Sequence, residues 1–312
     1  MNTTPMTLET PVGKFRWIEN WITIPESPVG RTNGRSHGVA VLKTGEIVVF
    51  HQADPAVLFY SPGGKLLRSW GSFPGAHGLT LVEENGVEFL WLTDEVTKEV
   101  VKMSLEGSVV CRLEQPSHPA YDKGSYIPTW VAVAEERFGG NGDIWVADGY
   151  GCSLVHRFDR EGNLIGSLDG TEGGGRFSCP HGLALDTRRT EPEFYIADRG
   201  NRRFQAYGMD GVHRRTFGAD FLNSPDVSAR MGEFLIVPEL VVGVTILDAA
   251  DRPVARLGFQ SGADQLTGWP NDRQWVRPGL FNSPHSATAD AAGNIYVVEW
   301  ITGGRVTKLE RL

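Results

Sequence analysis

The sequence predicts an all-β protein, a six-bladed β-propeller, and two observations carry this prediction. One unit occurs six times in the 312 residues: a turn, an apolar strand, a short turn and a second apolar strand, as in residues 177–203, FSCPHGLALDTRRTEPEFYIADRGNRR. A hairpin with a tight polar turn follows five of these units, so each repeat supplies four strands. Self-similarity every few dozen residues indicates a repeat architecture, and four-stranded repeats around an axis form a propeller.

One position of the repeat is the most informative, namely the residue just before the first strand of each unit. In chain order the six units hold there His37, His77, Trp130, His181, Asp226 and His285. Four of the eight histidines of the chain therefore occupy one repeat position. We take these positions as the starts of six blades in a single domain over residues 1–312.

The two ends of the sequence predict how the ring of blades closes. We expect residues 1–13 to be flexible, and residues 14–24, KFRWIENWITI, to form a strand. The last repeat has only one strand after its inner pair, RVTKLERL at 305–312. The N-terminal strand is therefore expected to complete the last blade and close the ring, which protects the sheet edges of propellers.

Composition excludes several classes of partner. The formal net charge is −8 and there are no basic runs, which argues against nucleic-acid binding. No continuous apolar stretch reaches the length of a membrane span, and the first residues lack the pattern of a secretory signal. Three cysteines without metal-ligand spacing are expected to be reduced thiols in the cytoplasm. We expect a small-molecule partner, and the oligomeric state stays open.

A metal site is predicted from the alternation of histidines around the ring. His77, His181 and His285 belong to blades two, four and six, which lie about 120° apart in a six-fold ring. Three converging imidazoles with open coordination positions are typical of catalytic zinc. His37 could be a fourth ligand or a group that orients one, and Asp226 could orient a ligand or bind a second cation. Alternatively, these side chains only end the channel strands and hold water.

Zinc is the expected metal, but the donor set does not single it out. An all-nitrogen site also suits iron, manganese, cobalt or copper.

Three long loops, residues 117–127, 168–179 and 260–282, lead into first strands and should overhang the same face as the histidines. Long loops on a rigid scaffold are where ligand sites usually lie.

The motifs around these residues resemble those of one family, the peptidyl-α-hydroxyglycine α-amidating lyases, which are six-bladed NHL-type propeller enzymes. The matching motifs are AHGL at His77, SCPHGLAL at His181, NSPHS at His285, PTWVAV at 128–133, ADGY at 147–150 and ADR at 197–199. The resemblance extends over nearly the whole chain.

The resemblance implies residue roles and a reaction. The three histidines of the motifs would bind zinc, which polarises the hydroxyl of a carbinolamide. Tyr150 would be the base, and Arg199 would stabilise its phenolate or bind an anionic group of the substrate. Cleavage of the C–N bond would then give an amide and an aldehyde acid. A phenol with an ordinary pKa of about 10 needs nearby positive charge to act as a base near neutral pH.

The sequence also departs from the family pattern. Gln52, in FHQAD, stands where the family has an arginine, and Trp130 replaces an aspartate. Ser283 and Ser286 replace a methionine and an acid, which makes the structural calcium of the family doubtful. These differences indicate that the metal chemistry is kept while the substrate has changed. The candidate substrate contacts are His51, Gln52, Trp130, Asp226 and Ser283.

The leading hypothesis is a metal-dependent lyase for a small hydroxylated, carbinolamide-like substrate, with the metal as Lewis acid and Tyr150 as acid and base. One alternative is a metal-dependent hydrolase or lactonase of the gluconolactonase-like propeller type, although the metal ligands of those enzymes are mostly carboxylates and asparagine. The other is an NHL interaction module without catalytic activity.

Overall fold

Six antiparallel sheets make up the structure, a computed structural model that describes residues 6–312. The first strands of successive sheets contact one another in chain order, and the first strand of the sixth sheet contacts that of the first sheet. The sheets therefore form a closed ring with their first strands innermost. The predicted six-bladed β-propeller is confirmed.

The strands follow the order of the repeats. Strands β1 (Thr7–Thr10) and β2 (Gly13–Ile18) precede the first full blade. Blade one contains β3 (Ser36–Val41), β4 (Ile47–His51), β5 (Val57–Tyr60) and β6 (Leu66–Trp70). Blade two contains β7 (Ala76–Glu84), β8 (Val87–Asp94), β9 (Val100–Ser104) and β10 (Val109–Leu113). Blade three contains β11 (Trp130–Val133), β12 (Ile144–Asp148), β13 (Leu154–Phe158) and β14 (Leu164–Leu168).

The second half of the ring has the same arrangement. Blade four contains β15 (Pro180–Asp186), β16 (Glu193–Asp198), β17 (Arg203–Gly208) and β18 (His213–Phe217). Blade five contains β19 (Ala229–Met231), β20 (Phe234–Glu239), β21 (Gly243–Leu247) and β22 (Pro253–Leu257). Blade six contains β23 (Pro284–Ala289), β24 (Ile295–Glu299) and β25 (Arg305–Arg311). The loops carry the helix α1 (Pro28–Thr32) and short 3-10 segments at Pro119–Asp122, Glu136–Phe138, Thr171–Gly173, Arg199–Asn201, Ala263–Gln265 and Arg273–Trp275.

The N-terminal strand closes the ring as expected, with one correction. Strand β2 pairs with β25, and Trp17 lies opposite Leu309. However, β1 forms a fifth strand of this blade, so the expected flexibility of 1–13 is wrong for residues 7–10. Leu8 pairs with Phe15 and packs on the apolar cluster between blades five and six, which orders this strand. Residues 1–5 of the predicted flexible segment lie outside the described residues.

The apolar cores lie between neighbouring blades. Between blades three and four, Trp145 stacks on Phe194 with ring centroids 4.3 Å apart, and Tyr207 completes the contact. Hairpins at the outer edge turn tightly at glycines such as Gly107 and Gly162, whose φ angles are 88° and 87°. Only glycine adopts these φ values readily, and the polar turns keep the outer strands in register with the buried ones.

A buried carboxylate ends the second strand of five blades and holds the loop that leads into the first strand of the same blade. These carboxylates belong to Asp94, Asp148, Asp198, Glu239 and Glu299, and all are buried. Each accepts a backbone N–H of that loop, from Gly75, Ile127, Ser178, Asn223 and Asn282 respectively, at 2.5–2.9 Å. Hydrogen bonds to a charged group are stronger than neutral ones. We call these five residues the carboxylate clamps.

Removal of one clamp should cost much of the stability of the fold. Asp94 accepts the N–H groups of Gly75, Val96 and Thr97, and Asp94→Ala leaves all three without this acceptor. We expect a loss of about 3 kcal/mol in the free energy of unfolding, measured in urea. Asp122→Ala, at an exposed aspartate, is the matched control. Equal stability of Asp94→Ala and wild type would contradict a role of the clamp in folding.

Candidate functional site

Two rings of residues surround the mouth of the central channel. The first ring contains the residues at the starts of the first strands: His37, His77, Trp130, His181, Asp226 and His285. All six are at most 1% exposed. The second ring contains the residue after the end of each second strand: Gln52, Glu95, Gly149, Arg199, Leu240 and Trp300.

The backbone shows that the second-ring residues are equivalent. In five blades the N–H of this residue donates to the carbonyl two positions before the first-ring residue, at 2.8–3.1 Å. The pairs are Gln52 with Arg35, Glu95 with Gly75, Arg199 with Cys179, Leu240 with Ser224 and Trp300 with Ser283. The repeat therefore brings side chains from distant parts of the sequence to the same level of the mouth.

The imidazoles of the first ring converge. The ring centroids of His77, His181 and His285 lie 4.7–4.9 Å from one another. The His37 centroid lies 4.5 Å from that of His285 and 4.9 Å from that of His77. Two sets of side chains bring one ligand atom each within 4.8 Å of the others: His37, His77 and His285, and His181, Asp226 and His285. His285 is common to both sets.

Hydrogen bonds to Nδ1 fix how these imidazoles are protonated. His77 Nδ1 lies 2.8 Å from the Thr129 carbonyl oxygen, and His285 Nδ1 lies 3.0 Å from that of His37. His181 Nδ1 donates to the Asp226 carboxylate. Because each of these partners can only accept, Nδ1 carries the hydrogen in all three rings, and Nε2 of a neutral ring presents a lone pair.

The Nε2 atoms of His77 and His181 are close enough to bind one cation together, whereas His77, His181 and His285 do not all bring a ligand atom within 4.8 Å of one another. Burial lowers the pKa of His77 to about 4 and also lowers the pKa values of His181 and His285, so the rings are neutral near pH 7. His77 Nε2 and His181 Nε2 face each other at 3.1 Å, and within residues 6–312 the buried His285 Nε2 has no hydrogen-bond partner. Lone pairs that face one another repel, whereas a shared metal ion would bind them. Donation of Nδ1–H to a carbonyl or carboxylate is also how metal-binding histidines are usually oriented.

Tyr150 and Arg199 lie directly beside these imidazoles. The Tyr150 hydroxyl lies 2.9 Å from His181 Nε2 and 3.2 Å from His77 Nε2. An Arg199 guanidinium nitrogen donates to this hydroxyl at 3.2 Å. Although 37% of Tyr150 is exposed, the burial of its surroundings raises the pKa of the phenol, and Arg199 opposes this shift in part. Tyr150 is thus a protonated phenol near neutral pH, beside a fixed cation.

Asp226 connects His181 with Arg199. Besides accepting from His181, its carboxylate lies 3.5 Å from an Arg199 nitrogen. Arg199 does not pair with its neighbour in sequence, because Asp198 is a clamp that also binds Arg203 at 2.7 Å. The aspartates of the ADGY and ADR motifs are thus structural, while Tyr150 and Arg199 of the same motifs reach the mouth.

The remaining predicted contacts divide into two groups. His51 Nε2 lies 2.7 Å from the Pro55 carbonyl and Ser283 donates to the Trp300 carbonyl at 2.9 Å, so both buried side chains are occupied in loop contacts. Gln52 reaches the mouth, where its amide donates to Glu95 at 3.0 Å. Trp130 is buried, with its ring centroid 6.2 Å from that of His77.

Trp130 forms the floor of the site. Together with residues further along the inner strands, among them Leu79, Ala132 and Leu183, it lines a cavity of about 220 Å³ in the channel. Its indole stands where the other blades have imidazoles or a carboxylate. The large apolar ring therefore separates the polar mouth from the apolar channel.

Sequence reasoning missed three residues of the mouth: Arg35, Glu95 and Trp300. Glu95 accepts from Gln52, and the Arg35 guanidinium lies over the Trp300 ring, 5.1 Å from its centroid. A signal for two of them was present, because Glu95 and Trp300 occupy the same repeat position as Arg199. Arg35 could have been found from its place two residues before His37.

The loop that carries Tyr150 is supported by a buried polar network in blade three. Asp148 accepts from the N–H of Ile127 and Cys152 at 2.7 Å each. The Tyr121 hydroxyl donates to Asp148 at 2.9 Å and lies 2.6 Å from His156 Nε2. Because Tyr121 donates to the carboxylate, His156 donates from Nε2 to Tyr121. The network fixes the backbone on both sides of Tyr150.

Among the described residues, no helix has the length and apolar character needed to cross a membrane.

Sequence comparison identifies relatives of the chain. A probable peptidyl-α-hydroxyglycine α-amidating lyase of Caenorhabditis elegans is 30% identical over 204 residues, covering 56% of this chain and 55% of that protein. Peptidyl-α-hydroxyglycine α-amidating lyase 1 of Drosophila melanogaster is 26% identical over 317 residues, covering 85% and 55%. NHL repeat-containing protein 3 of Homo sapiens is 28% identical over 262 residues, covering 78% and 72%. The chain thus spans about half the length of the two lyases it matches.

Solved structures share the fold at low identity. A gluconolactonase from Xanthomonas campestris has a TM-score of 0.67 at 13% identity, covering 100% of this chain and 96% of that one. A streptogramin B lyase has a TM-score of 0.62 at 14% identity, covering 96% and 98%. Such low identities show the fold alone. No family model matches the chain.

The relatives found by sequence comparison confirm the resemblance that the motifs indicated. They are amidating lyases and NHL repeat-containing proteins at modest identity, and the chain fits an NHL-type propeller family. The lyases among them support a propeller enzyme family.

The network below Tyr150 should make stability depend on pH. Burial lowers the pKa of His156 to about 4, whereas an unfolded histidine titrates near 6.5. The stability gained from the neutral ring is therefore complete above about pH 6.5 and is lost as the pH falls towards 4, because only the unfolded chain takes up the proton. When the pH is lowered from 7 to 4.5, the wild type should lose about 2 kcal/mol more unfolding free energy than His156→Gln, measured in urea. His213→Gln, on the outer strand β18, is the control, and identical pH profiles of His156→Gln and wild type would refute this assignment.

Proposed function

We propose that the protein is a metal-dependent lyase that cleaves a C–N or C–O bond at a hydroxylated carbon of a small, carbinolamide-like molecule. The observation that carries the proposal is the convergence of three neutral imidazoles, each with Nδ1 engaged, beside the hydroxyl of Tyr150. The amidating lyases among the relatives support the same reaction class.

His77, His181 and His285 would hold one divalent metal ion, with His37 as a further ligand candidate. Three imidazole nitrogens and open positions suit zinc, and the same set accepts iron, manganese, cobalt or copper. When bound, the ion supplies a positive charge that polarises the hydroxyl oxygen of the substrate. Asp226 would keep His181 in the orientation and protonation state that a ligand needs.

The phenol of Tyr150 would move the proton that the reaction requires. Cleavage of a carbinolamide removes the proton of the hydroxyl group, forms a carbonyl, breaks the C–N bond and adds a proton to the departing nitrogen. No water is consumed. As a phenolate, Tyr150 can take the first proton and return it to nitrogen. The Arg199 guanidinium, 3.2 Å from the oxygen, favours the phenolate, since an adjacent cation lowers the pKa of an acid.

The two alternative functions, a hydrolase and a non-catalytic interaction module, predict different observations. A hydrolase of the gluconolactonase type would place an oxygen atom from solvent in its product, whereas the lyase would not. Reaction in ¹⁸O-labelled water separates the two. An interaction module without catalytic activity would need neither a bound metal nor Tyr150.

We also propose a cytoplasmic location, because the three cysteines are free thiols, as expected in a reducing compartment.

Substitution of the proposed base gives the test of the mechanism. We expect Tyr150→Phe to lower kcat/KM for an N-acyl-α-hydroxyglycine by about 10²–10⁴-fold, the usual contribution of a general acid–base group. The metal content should not change, because the imidazole ligands remain.

The matched control is Tyr126→Phe in the same blade. Its buried hydroxyl has no hydrogen-bond partner in residues 6–312, so its removal should leave kcat/KM near the wild-type value. Full activity of Tyr150→Phe would refute the proposed role of the phenol.

A further inference from the structure

Glu95 reaches the mouth at the same repeat position as Arg199. It follows the clamp Asp94 at the end of β8, and its N–H donates to the Gly75 carbonyl at 2.9 Å. Arg199 makes the corresponding bond to the Cys179 carbonyl at 3.1 Å. Glu95 is partly exposed, and its charge influences the pKa of both Tyr150 and Arg35. The carboxylate therefore belongs to the same mouth as the proposed catalytic groups.

The charge of Glu95 is not balanced by a direct partner. Within the described part of the chain it forms no ion pair, and its side-chain contact is the Gln52 amide at 3.0 Å. Nearby carboxylates are engaged: Asp94 accepts three backbone N–H groups, and Asp226 binds His181 and Arg199. Glu95 is thus a carboxylate at the mouth with free acceptor positions.

The surrounding groups define what Glu95 can bind. Gln52 uses one of its two amide N–H groups towards Glu95, which leaves its carbonyl oxygen and the free positions of the carboxylate as acceptors beside one remaining N–H. Arg199 forms an ion pair with Asp226 at 3.5 Å. Arg35 lies over the Trp300 ring and donates to Asn33 at 2.7 Å. Burial raises the pKa of Glu95, and the hydrogen bond from Gln52 and the charges of Arg35 and Arg199 oppose this shift.

We infer that Glu95 and Gln52 bind a protonated amine of the substrate. An ammonium group has three donors and one positive charge, which fits two neighbouring acceptor groups and a carboxylate that forms no ion pair within residues 6–312. This inference rests on the proposed function and narrows its substrate class to carbinolamide-like molecules with a positively charged amine. Glu95 is then a specificity-determining residue, two blades away from Arg199.

A pair of unreactive probes tests the inference by binding alone. N-(3-aminopropanoyl)glycine and N-butanoylglycine have the same chain length and the same carboxylate, and differ in an ammonium against a methyl group. Contributions of Arg35 and Arg199 to carboxylate binding therefore cancel in the ratio of the two dissociation constants. Calorimetry on the zinc-loaded wild-type protein should show about tenfold tighter binding of the ammonium compound, the size of one charge-assisted hydrogen bond.

The variant Glu95→Gln keeps the shape and removes the charge, and should bring the ratio close to one. Glu106→Gln removes an equal charge from an exposed turn of the same blade, and should keep the wild-type ratio. Thermal unfolding of both variants verifies that they are folded.

Three results would overturn the inference: equal affinity of wild type for the two probes, no binding of either, or a preference that Glu95→Gln retains. Because the probes are not turned over, the result is independent of catalysis. A preference that depends on Glu95 in a protein without lyase activity would reject the proposed reaction and keep the amine site. Lyase activity without the preference would reject only the amine site.

Discussion

The buried carboxylate at the end of the second strand in blades two to six is the interaction on which the site depends. In five blades it accepts the backbone N–H of the loop before the first strand and so fixes where that strand begins. The first-ring side chain stands at this start and the second-ring side chain directly follows the carboxylate. A single hydrogen bond per blade therefore sets the positions of both rings. A charged acceptor suits this role, because loss of its partner in a buried place is costly.

Burial of the imidazoles is the second constraint on the mouth. Four histidines are buried at the same end of the channel. The Tyr150 hydroxyl is shared by Nε2 of His77 and His181, and His285 Nε2 has no hydrogen-bond partner within residues 6–312, which is unfavourable for a buried polar atom. The surrounding structure nevertheless holds them in place by carbonyl and carboxylate partners at Nδ1. Local arrangements that cost stability and are fixed by their surroundings are typical of functional sites. This is the physical reason for proposing a metal centre at the first ring.

The sequence was sufficient to predict the fold and the members of the first ring, because both depend on the period of the repeat. It could not predict contacts that depend on three-dimensional detail. His51 looked like a mouth residue, yet its ring binds the Pro55 carbonyl. Glu95 was not singled out from the sequence, and the backbone hydrogen bonds of the repeat together with its contact to Gln52 show that it lies at the mouth. Residues 7–10 were expected to be flexible, and the packing of Leu8 on the apolar cluster explains why they form β1.

The most direct test of this account is the metal content of the purified protein, measured beside His181→Ala and the surface control His213→Ala. The account predicts about one transition metal ion per chain in the wild type and in the control, and a loss of that ion in His181→Ala, because removal of one of three ligands leaves an incomplete site. Wild-type protein that binds no metal, even after addition of zinc, iron or manganese, would contradict the metal centre and with it the proposed lyase.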